Sequence, residues 1–241
     1  MQDALTIAAL TATTAAAGIL RGYSGFGGGL VMAPIFIRLV GTHDSVALIS
    51  VIHLLTSFQG VRRSMKVVDF AVVRPLVLAA VFSVPVGVVL LTWLDPVMVK
   101  TIVALVVTML ALAMVVGLRG LGSPSTTKSV AVGVLSGLLN GFCGIGGPPA
   151  VLYMLAGSSP SVELRASFIL FFAILYPASV MALLAAGIVG WRVFVVAIAL
   201  APAYFLATEL GHFMFRSVHS RLFVPTCAII LCLSGLSMLL I

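Results

Sequence analysis

Two glycine-rich segments carry the residues of this chain that are best suited to hold a charged ligand. The first spans residues 22–29 and the second spans residues 141–149, and both interrupt strongly apolar sequence. Glycine disfavours a regular helix, and Pro148-Pro149 removes two backbone donors but suits the first turn of a new helix. The second segment therefore predicts a helix that ends near Asn140, an unwound loop, and a helix that begins near Pro148. The free N–H groups and the positive end of the new helix favour an anion.

The two segments resemble each other, because glycines of the first recur at a constant distance in the second. The matches, 119 positions apart, are Gly22 with Gly141, Gly25 with Gly144, Gly27 with Gly146 and Gly28 with Gly147. The offset is almost half of the 241 residues, so we interpret it as an internal duplication. Paired interruptions at corresponding places in two halves are the best sequence indication of a transporter's binding site.

We expect an anion to bind between the two breaks, held by backbone N–H groups and by the polar side chains around them. The candidate substrate-binding residues are Arg21, Gly25, Gly27, Gly28, Gly29, His53, Asn140, Cys143, Gly144, Gly146, Gly147, Pro148 and Tyr153. The alternative for the glycines is close helix packing, which also selects small residues in membranes.

Arg21 is the sharpest single candidate, because a charge beside a break at membrane depth is costly and is functional by default. Its guanidinium is shaped to bind a sulfonate or carboxylate through two hydrogen bonds. The alternative is an arginine that caps carbonyls at a helix end or reaches the membrane surface. Its counterpart in the second half is Asn140, a neutral donor. His53 is predicted either to bind the anion or carry a proton, or else to make a hydrogen bond between helices.

Five further side chains have both a functional and a structural interpretation. Tyr153 and Tyr176 either place hydroxyls in a pocket or simply pack. Cys143 either contacts a sulfur compound or is redox-active, or serves as a small residue. Glu209 and His212 are three positions apart on one helix face, where they either relay a proton or form a solvated pair.

The composition requires these residues to be positioned by helices in a membrane. The chain is 62% hydrophobic and 8% charged, with a mean hydropathy of +1.29. Long solid apolar runs exclude a β-barrel, so we predict an all-α polytopic membrane protein. The excess of 13 Lys and Arg over 6 Asp and Glu indicates basic cytoplasmic loops rather than nucleic-acid binding. The cysteines and histidines show no metal-ligand spacing, and we expect no cofactor.

We divide the chain into a first repeat over residues 1–118, a linker over 119–129 and a second repeat over 130–241. Each repeat is predicted to contain a re-entrant or broken-helix hairpin followed by three transmembrane helices. The predicted helical segments are 4–20, 30–40, 45–60, 70–93, 95–118, 130–140, 149–157, 162–186, 190–211 and 221–241.

Charge distribution favours inverted repeats over parallel ones. If each break is the tip of a re-entrant hairpin, nine Lys and Arg residues share one side against three. If the arms of each break together cross the membrane, the division is seven against five. The positive-inside rule therefore favours the inverted arrangement, with both termini outside the cytoplasm. The arm over 130–140 is also only about 16 Å long, shorter than the roughly 30 Å core of a bilayer.

Both breaks carry signatures that resemble the TauE/SafE family of sulfite and organosulfonate exporters. The first signature runs from Gly25 to Pro34 and the second from Gly144 to Tyr153. The resemblance implies a bacterial inner-membrane, multi-pass transporter, for which the termini that the charge distribution puts outside the cytoplasm would be periplasmic. It also implies export of sulfite, thiosulfate, sulfoacetate or related anions, driven by an ion gradient or by the membrane potential.

The candidate partners are a small anionic substrate, the lipid bilayer, a coupling proton or sodium ion, and a second copy of the chain. Two alternatives to a sulfur-anion carrier stay open, namely a carrier of other small carboxylate anions and a passive anion channel. An intramembrane enzyme is disfavoured, because the four histidines are scattered and no HExxH motif is present. No phosphate-binding loop is present either, so the chain is not expected to use ATP by itself.

Overall fold

The computed structural model describes residues 2–95, 97–99, 101, 102, 105, 109, 125–157, 159–217 and 229. These residues form helices and short connections, without a strand among them. The helices are α1 (Gln2–Ser24), α2 (Gly28–Val40), α3 (Thr42–Thr56), α4 (Val61–Ser64), α5 (Phe70–Trp93), α6 (Thr126–Cys143), α7 (Gly147–Leu155), α8 (Ser161–Ala185) and α9 (Trp191–Ser217).

Four of the helices are long and apolar enough to cross a membrane, which confirms the polytopic all-α prediction. The candidate spans are Ala4–Ser24, Phe70–Trp93, Ser161–Ala185 and Trp191–Phe215. The helix predicted over 70–93 has those bounds, and Asp69 caps it by accepting a hydrogen bond from the Ala71 amide. The helices predicted over 95–118 and 221–241 lie almost wholly outside the described residues.

Both glycine breaks occur, but each preceding helix runs further than predicted. α1 continues to Ser24 and α6 continues to Cys143 instead of ending near Asn140. The reason is tertiary packing, because glycines in these last turns allow close approach of a neighbouring helix and so offset their low helix propensity. The unwound parts are therefore only residues 25–27 and 144–146.

The short-arm argument for a re-entrant hairpin was wrong for the second break. α6 has 18 residues and starts at Thr126, where the Ser125 side chain accepts from the Lys128 amide. At 1.5 Å per residue it is about 27 Å long, not about 16 Å. The linker predicted over 119–129 is correspondingly shortened, since residues 126–129 are helical. The inverted orientation of the repeats stays a prediction.

The helix over 45–60 was also misplaced. α3 spans Thr42–Thr56, so it begins three residues earlier and ends four residues earlier than predicted. Its N-cap is Gly41, with a φ of 86° and no side-chain cap. Glycine adopts this positive φ at little cost, which lets α2 and α3 follow each other directly.

Each of the two most extensive helix contacts joins a helix of the first half of the chain to a helix of the second half. α1 packs along α9, and α5 packs along α6. Glycines mediate both pairs at equivalent places. A Cβ added at Gly22 would lie 2.1 Å from the Thr208 carbonyl oxygen, and one at Gly141 would lie 2.2 Å from that of Val84.

The reverse contacts are equivalent as well, because α9 and α5 each contribute a glycine. A Cβ at Gly211 would lie 2.1 Å from the Ile19 carbonyl oxygen, and one at Gly87 would lie 2.2 Å from that of Leu138. Ile19 and Leu138 are 119 positions apart, whereas Gly87 and Gly211 are 124 apart. Matching residues of α5 and α9 are thus five positions further apart than matching residues of α1 and α6. The single offset of 119 used for the sequence did not detect this difference.

Gly141→Ala is expected to lower the free energy of unfolding by about 1–3 kcal/mol, the usual cost of overpacking a close contact. The physical reason is that the new methyl group would meet the backbone of α5, which cannot rotate away. Thermal unfolding of the detergent-purified protein measures this. Gly190→Ala is the control, since nothing lies within 4 Å of a Cβ there. Equal stability of the two variants would contradict the packing role.

Candidate functional site

The two breaks lie against each other in the described structure. A Cβ built on Gly29 would be 3.0 Å from the Gly144 carbonyl oxygen, and one on Gly147 would be 4.0 Å from the Phe26 ring. Each break also contacts a helix of the other half of the chain. Gly25 faces Phe168 of α8, and Gly144 faces Ile49 of α3. α3 and α8 therefore position the breaks side by side.

Arg21 lies in the last turn of α1 and is 8% exposed. Its Nη1 donates a hydrogen bond of 3.0 Å to the Thr56 hydroxyl of α3. Its guanidinium carbon lies 5.6 Å from the ring centre of Tyr176 and 5.7 Å from that of Tyr204. Within the described residues these contacts include no carboxylate. The positive charge is therefore held by a hydroxyl and two aromatic rings, without an opposite charge to compensate it.

His53 of α3 is fully buried beside this arginine. Its ring stacks on Tyr176, with centres 4.4 Å apart, and meets Tyr204 edge-on at 5.3 Å. Neither ring nitrogen has a hydrogen-bond partner among the described residues. The hydrogen bond between helices that was one of its two interpretations is therefore not formed within the described part of the chain. A buried polar group without a partner costs free energy unless a ligand satisfies it.

The N-terminus of α2 points at the same place. A Cβ built on Gly28, the first residue of α2, would lie 2.1 Å from the Tyr204 hydroxyl oxygen and 2.8 Å from His53 Nε2. Glycine is required here because any side chain would occupy this space. The positive end of α2 therefore faces the hydroxyl and the imidazole directly. We call Arg21, His53, Thr56, Tyr176 and Tyr204 the Arg21 cluster.

The residues of the second break are engaged in local hydrogen bonds. The Asn140 amide donates to the Ser179 hydroxyl, and its oxygen accepts from the Gly146 amide at 3.2 Å. The Cys143 thiol donates to the Leu139 carbonyl at 2.9 Å. Asn140 thus fastens the second break to α8, whereas its counterpart Arg21 carries a charge. The two breaks have the same backbone plan and different chemistry.

The remaining candidates fall into two groups. Gly27 adopts a φ of 88° as the N-cap of α2 and belongs to the first break, while Pro148 lies in the first turn of α7, as predicted. Gly147 faces the ring of Phe172 rather than the Arg21 cluster. The Tyr153 hydroxyl bonds to Ser129 at 2.7 Å and to the Ser125 backbone at 3.1 Å, so it fastens α7 to the start of α6.

A family model completes this picture. The model of the sulfite exporter TauE/SafE family matches residues 10–238, nearly the entire chain. The chain belongs to the sulfite exporter TauE/SafE family. Membership implies a multi-pass membrane transporter that exports sulfite or related sulfur anions, rather than an enzyme. No curated protein and no solved structure matches the chain.

One member of the cluster escaped the sequence analysis of this TauE/SafE chain. Tyr204 sits in the middle of α9, 151 positions after His53, and nothing in its neighbourhood marks it as polar-facing. The only signal is a hydroxyl within the apolar run over residues 193–207. Tyr176, which had been left between a pocket and a packing role, belongs to the cluster through its stacking on His53.

Glu209 and His212 lie about one and about two turns after Tyr204 along α9, towards its C-terminal end. The Glu209 carboxylate accepts a hydrogen bond of 3.1 Å from the Gln59 amide. His212 Nδ1 lies 3.1 Å from the Thr208 carbonyl oxygen. Each has its own partner, so the described contacts do not join them as a proton relay.

Asn140→Leu is expected to destabilise this exporter-family protein by about 1–3 kcal/mol, because the buried Gly146 amide would lose its acceptor. The affinity for sulfite should stay within about twofold of wild type, since Asn140 is not in the Arg21 cluster. Thermal unfolding and equilibrium dialysis with labelled sulfite measure the two effects. A stable variant with strongly reduced affinity would instead place Asn140 at the ligand.

Proposed function

We propose that this chain is a secondary exporter that binds sulfite or a related small sulfur anion at the Arg21 cluster, beside the first break. The observation that carries the proposal is a buried guanidinium beside a buried imidazole. Among the described residues the guanidinium has no carboxylate partner, and the imidazole nitrogens have no hydrogen-bond partner. A buried, uncompensated cation is costly in the ligand-free protein. An anion in contact with it would remove that cost.

The donors around Gly28 suit the chemistry of sulfite and of sulfonates. These anions present three oxygens on one sulfur, so they accept hydrogen bonds from several directions. The guanidinium group of Arg21 can donate hydrogen bonds to two of these oxygens. The Tyr204 hydroxyl, an N–H of His53 and the free N–H groups at the start of α2 are grouped around Gly28, beside this guanidinium. Thr56 fixes the orientation of the Arg21 guanidinium, because its hydroxyl accepts a hydrogen bond from Arg21 Nη1.

Alternating access is proposed to come from movement between two helix pairs. The α1–α9 pair and the α5–α6 pair are each locked by glycines in close backbone contact, so each is suited to move as a unit. The first break, with Arg21, is attached to the α1–α9 pair, and the second break is attached to the α5–α6 pair. Movement of one pair against the other would open the contact between the breaks on one side and close it on the other.

The proposal also covers the location, topology and substrates of the protein. We propose that it lies in the bacterial inner membrane, with periplasmic termini and inverted repeats, and that its substrates are anions such as sulfite, thiosulfate or sulfoacetate. A negative-inside potential would favour the exit of an anion by about 2.3 kcal/mol per charge per 100 mV. A proton or sodium gradient is the alternative driving force, and we propose His53 as the residue that would carry a proton.

A carrier of small carboxylates is the second candidate, because the buried cation of the cluster is an arginine, Arg21. A guanidinium fork binds a planar carboxylate as well as a sulfonate. A passive channel has less support, because the cavity that reaches Arg21 measures about 10 Å³, which is room for roughly one water molecule. Such a constriction fits a carrier in a closed state.

Trans-stimulation in proteoliposomes tests the proposal. Uptake of labelled sulfite should saturate, and it should accelerate several-fold when the vesicles are preloaded with unlabelled sulfite. Thiosulfate and sulfoacetate should compete, and malonate and chloride should compete weakly. Faster uptake after preloading with malonate than with sulfite would favour the carboxylate carrier. Unsaturable flux without trans-stimulation would contradict a carrier of any kind.

A further inference from the structure

A large cavity opens beside the Arg21 cluster, where α4, α8 and α9 meet. Its volume is about 370 Å³, and it is lined by Arg63 of α4, Arg165 of α8 and His212 of α9. A neighbouring cavity of about 270 Å³ shares Arg63 and His212 and adds Arg62. The two cavities together form one basic depression, which we call the outer cavity. No residue proposed above as a ligand for the anion lines it.

The outer cavity leads towards the Arg21 cluster. The small cavity of about 10 Å³ that reaches Arg21 and Thr56 is also lined by Arg165 and His212. These two residues therefore face both the outer cavity and this small cavity, which we call the neck. Since the neck holds about one water, the outer cavity is separated from the cluster only by a short constriction.

The cationic residues of the outer cavity differ in how firmly they are held. Arg165 donates to the Gly22 and Tyr23 carbonyls at 2.6 and 3.2 Å, and its guanidinium lies 4.7 Å from the ring centre of Phe215. It is thereby fixed at the end of α1, next to the first break. Arg63, by contrast, is exposed at the mouth.

The negative charge in this region is already engaged. Glu209 is the acidic residue that lines the outer cavity within the described part of the chain, and its carboxylate accepts from Gln59. His212 is close enough to both Arg63 and Arg165 to feel their charges, as well as that of Glu209. Three arginines against one carboxylate leave the cavity net positive, and a cleft with one sign of charge concentrates counter-ions.

We propose that the outer cavity is a second binding site for a small oxyanion, in which Arg63 and Arg165 hold the transported anion before it reaches Arg21. This inference rests on the proposed function, because it assigns the same substrate class to both sites. Arg165 joins them physically, since it lines both cavities and also grips the carbonyls beside the first break. The outer site is weaker than the inner one, because it is open to water that screens its charges.

Equilibrium dialysis with labelled sulfite tests the outer site without relying on transport. Wild-type protein should bind a tight and a weak equivalent of sulfite. Arg63→Gln should lose the weak equivalent and keep the tight one, whereas Arg21→Gln should keep only the weak one. Lys66→Gln is the matched control, because Lys66 is an exposed cation two residues after Ser64 and lines none of these cavities. Identical binding by Arg63→Gln and Lys66→Gln would overturn the proposal.

The same dialysis, done in nanodiscs, separates a free anion from a lipid headgroup. A sulfite site should keep its weak equivalent in discs of phosphatidylcholine and in discs that contain phosphatidylglycerol. Loss of this equivalent in the anionic discs alone would assign the cavity to a lipid phosphate and overturn the proposal. Failure of the proposed function looks different, because then Arg21→Gln would keep the tight equivalent while Arg63→Gln still reports on the outer site.

Discussion

Replacing Arg21 with glutamine should abolish saturable sulfite transport while leaving the protein folded. The variant keeps a polar amide but loses the charge and the fork that includes the donor to Thr56. We expect the affinity for sulfite to fall about 100-fold or more, equivalent to about 2.7 kcal/mol, as for the loss of charge-assisted hydrogen bonds. Thermal stability without ligand should be unchanged or higher, because an uncompensated buried charge has been removed.

Arg74→Gln is the matched control for this experiment. Arg74 is exposed on α5 and lies 5.3 Å from the ring centre of Phe70, so its removal changes the net charge equally without touching the cluster. Sulfite uptake by proteoliposomes should remain within about twofold of wild type in Arg74→Gln. If Arg21→Gln transports sulfite as well as Arg74→Gln does, Arg21 is not in the binding site.

The second large effect is expected at Gly28. In Gly28→Ala the new methyl group would lie 2.1 Å from the Tyr204 hydroxyl oxygen, so the tyrosine must move into the space proposed for the anion. We expect at least a 10-fold loss of sulfite affinity, together with a loss of about 1–3 kcal/mol in the free energy of unfolding. Dialysis and thermal unfolding measure these changes, with Gly190→Ala as the control for the added methyl group.

A double variant shows whether this effect acts through Tyr204. Tyr204→Phe removes the hydroxyl, after which the nearest tyrosine-derived atom to the new methyl group is Cζ at 3.1 Å. Gly28→Ala combined with Tyr204→Phe should therefore recover part of the lost stability, because His53 Nε2 at 2.8 Å still has to shift, and the two changes should be non-additive. Affinity should stay low, because a donor is still missing. Additive stability losses would contradict the contact.

The breaks were predictable because their cause is local. Four glycines and the Pro148-Pro149 pair act on their own backbone. The match of these glycines with four glycines 119 positions earlier marks a duplication without any knowledge of contacts. Arg21 was predictable for a related reason, since a charge in an apolar stretch is conspicuous whatever surrounds it. His53 was found in the same way, and the described part of the structure shows no hydrogen bond from its ring to another helix.

What the sequence could not reveal depends on how distant helices meet. Tyr204 joins His53 because α9 packs beside α3, and no local pattern encodes that encounter. Asn140 and Arg21 are equivalent by position, yet Ser179 engages one and no carboxylate among the described residues engages the other. The helix ends were misjudged because glycines such as Gly141 are kept helical by the backbone they pack against.

The most direct test of the account is the position of a heavy analogue of the ligand. Selenite has the charge and the pyramidal shape of sulfite, and selenium is located by its anomalous scattering in crystals soaked with it. The account predicts a selenium peak whose oxygens lie within hydrogen-bond distance of the Arg21 guanidinium, close to His53 Nε2 and to the N-terminus of α2. A peak confined to the second break, beside Asn140 and Gly146, with the Arg21 cluster empty, would contradict it.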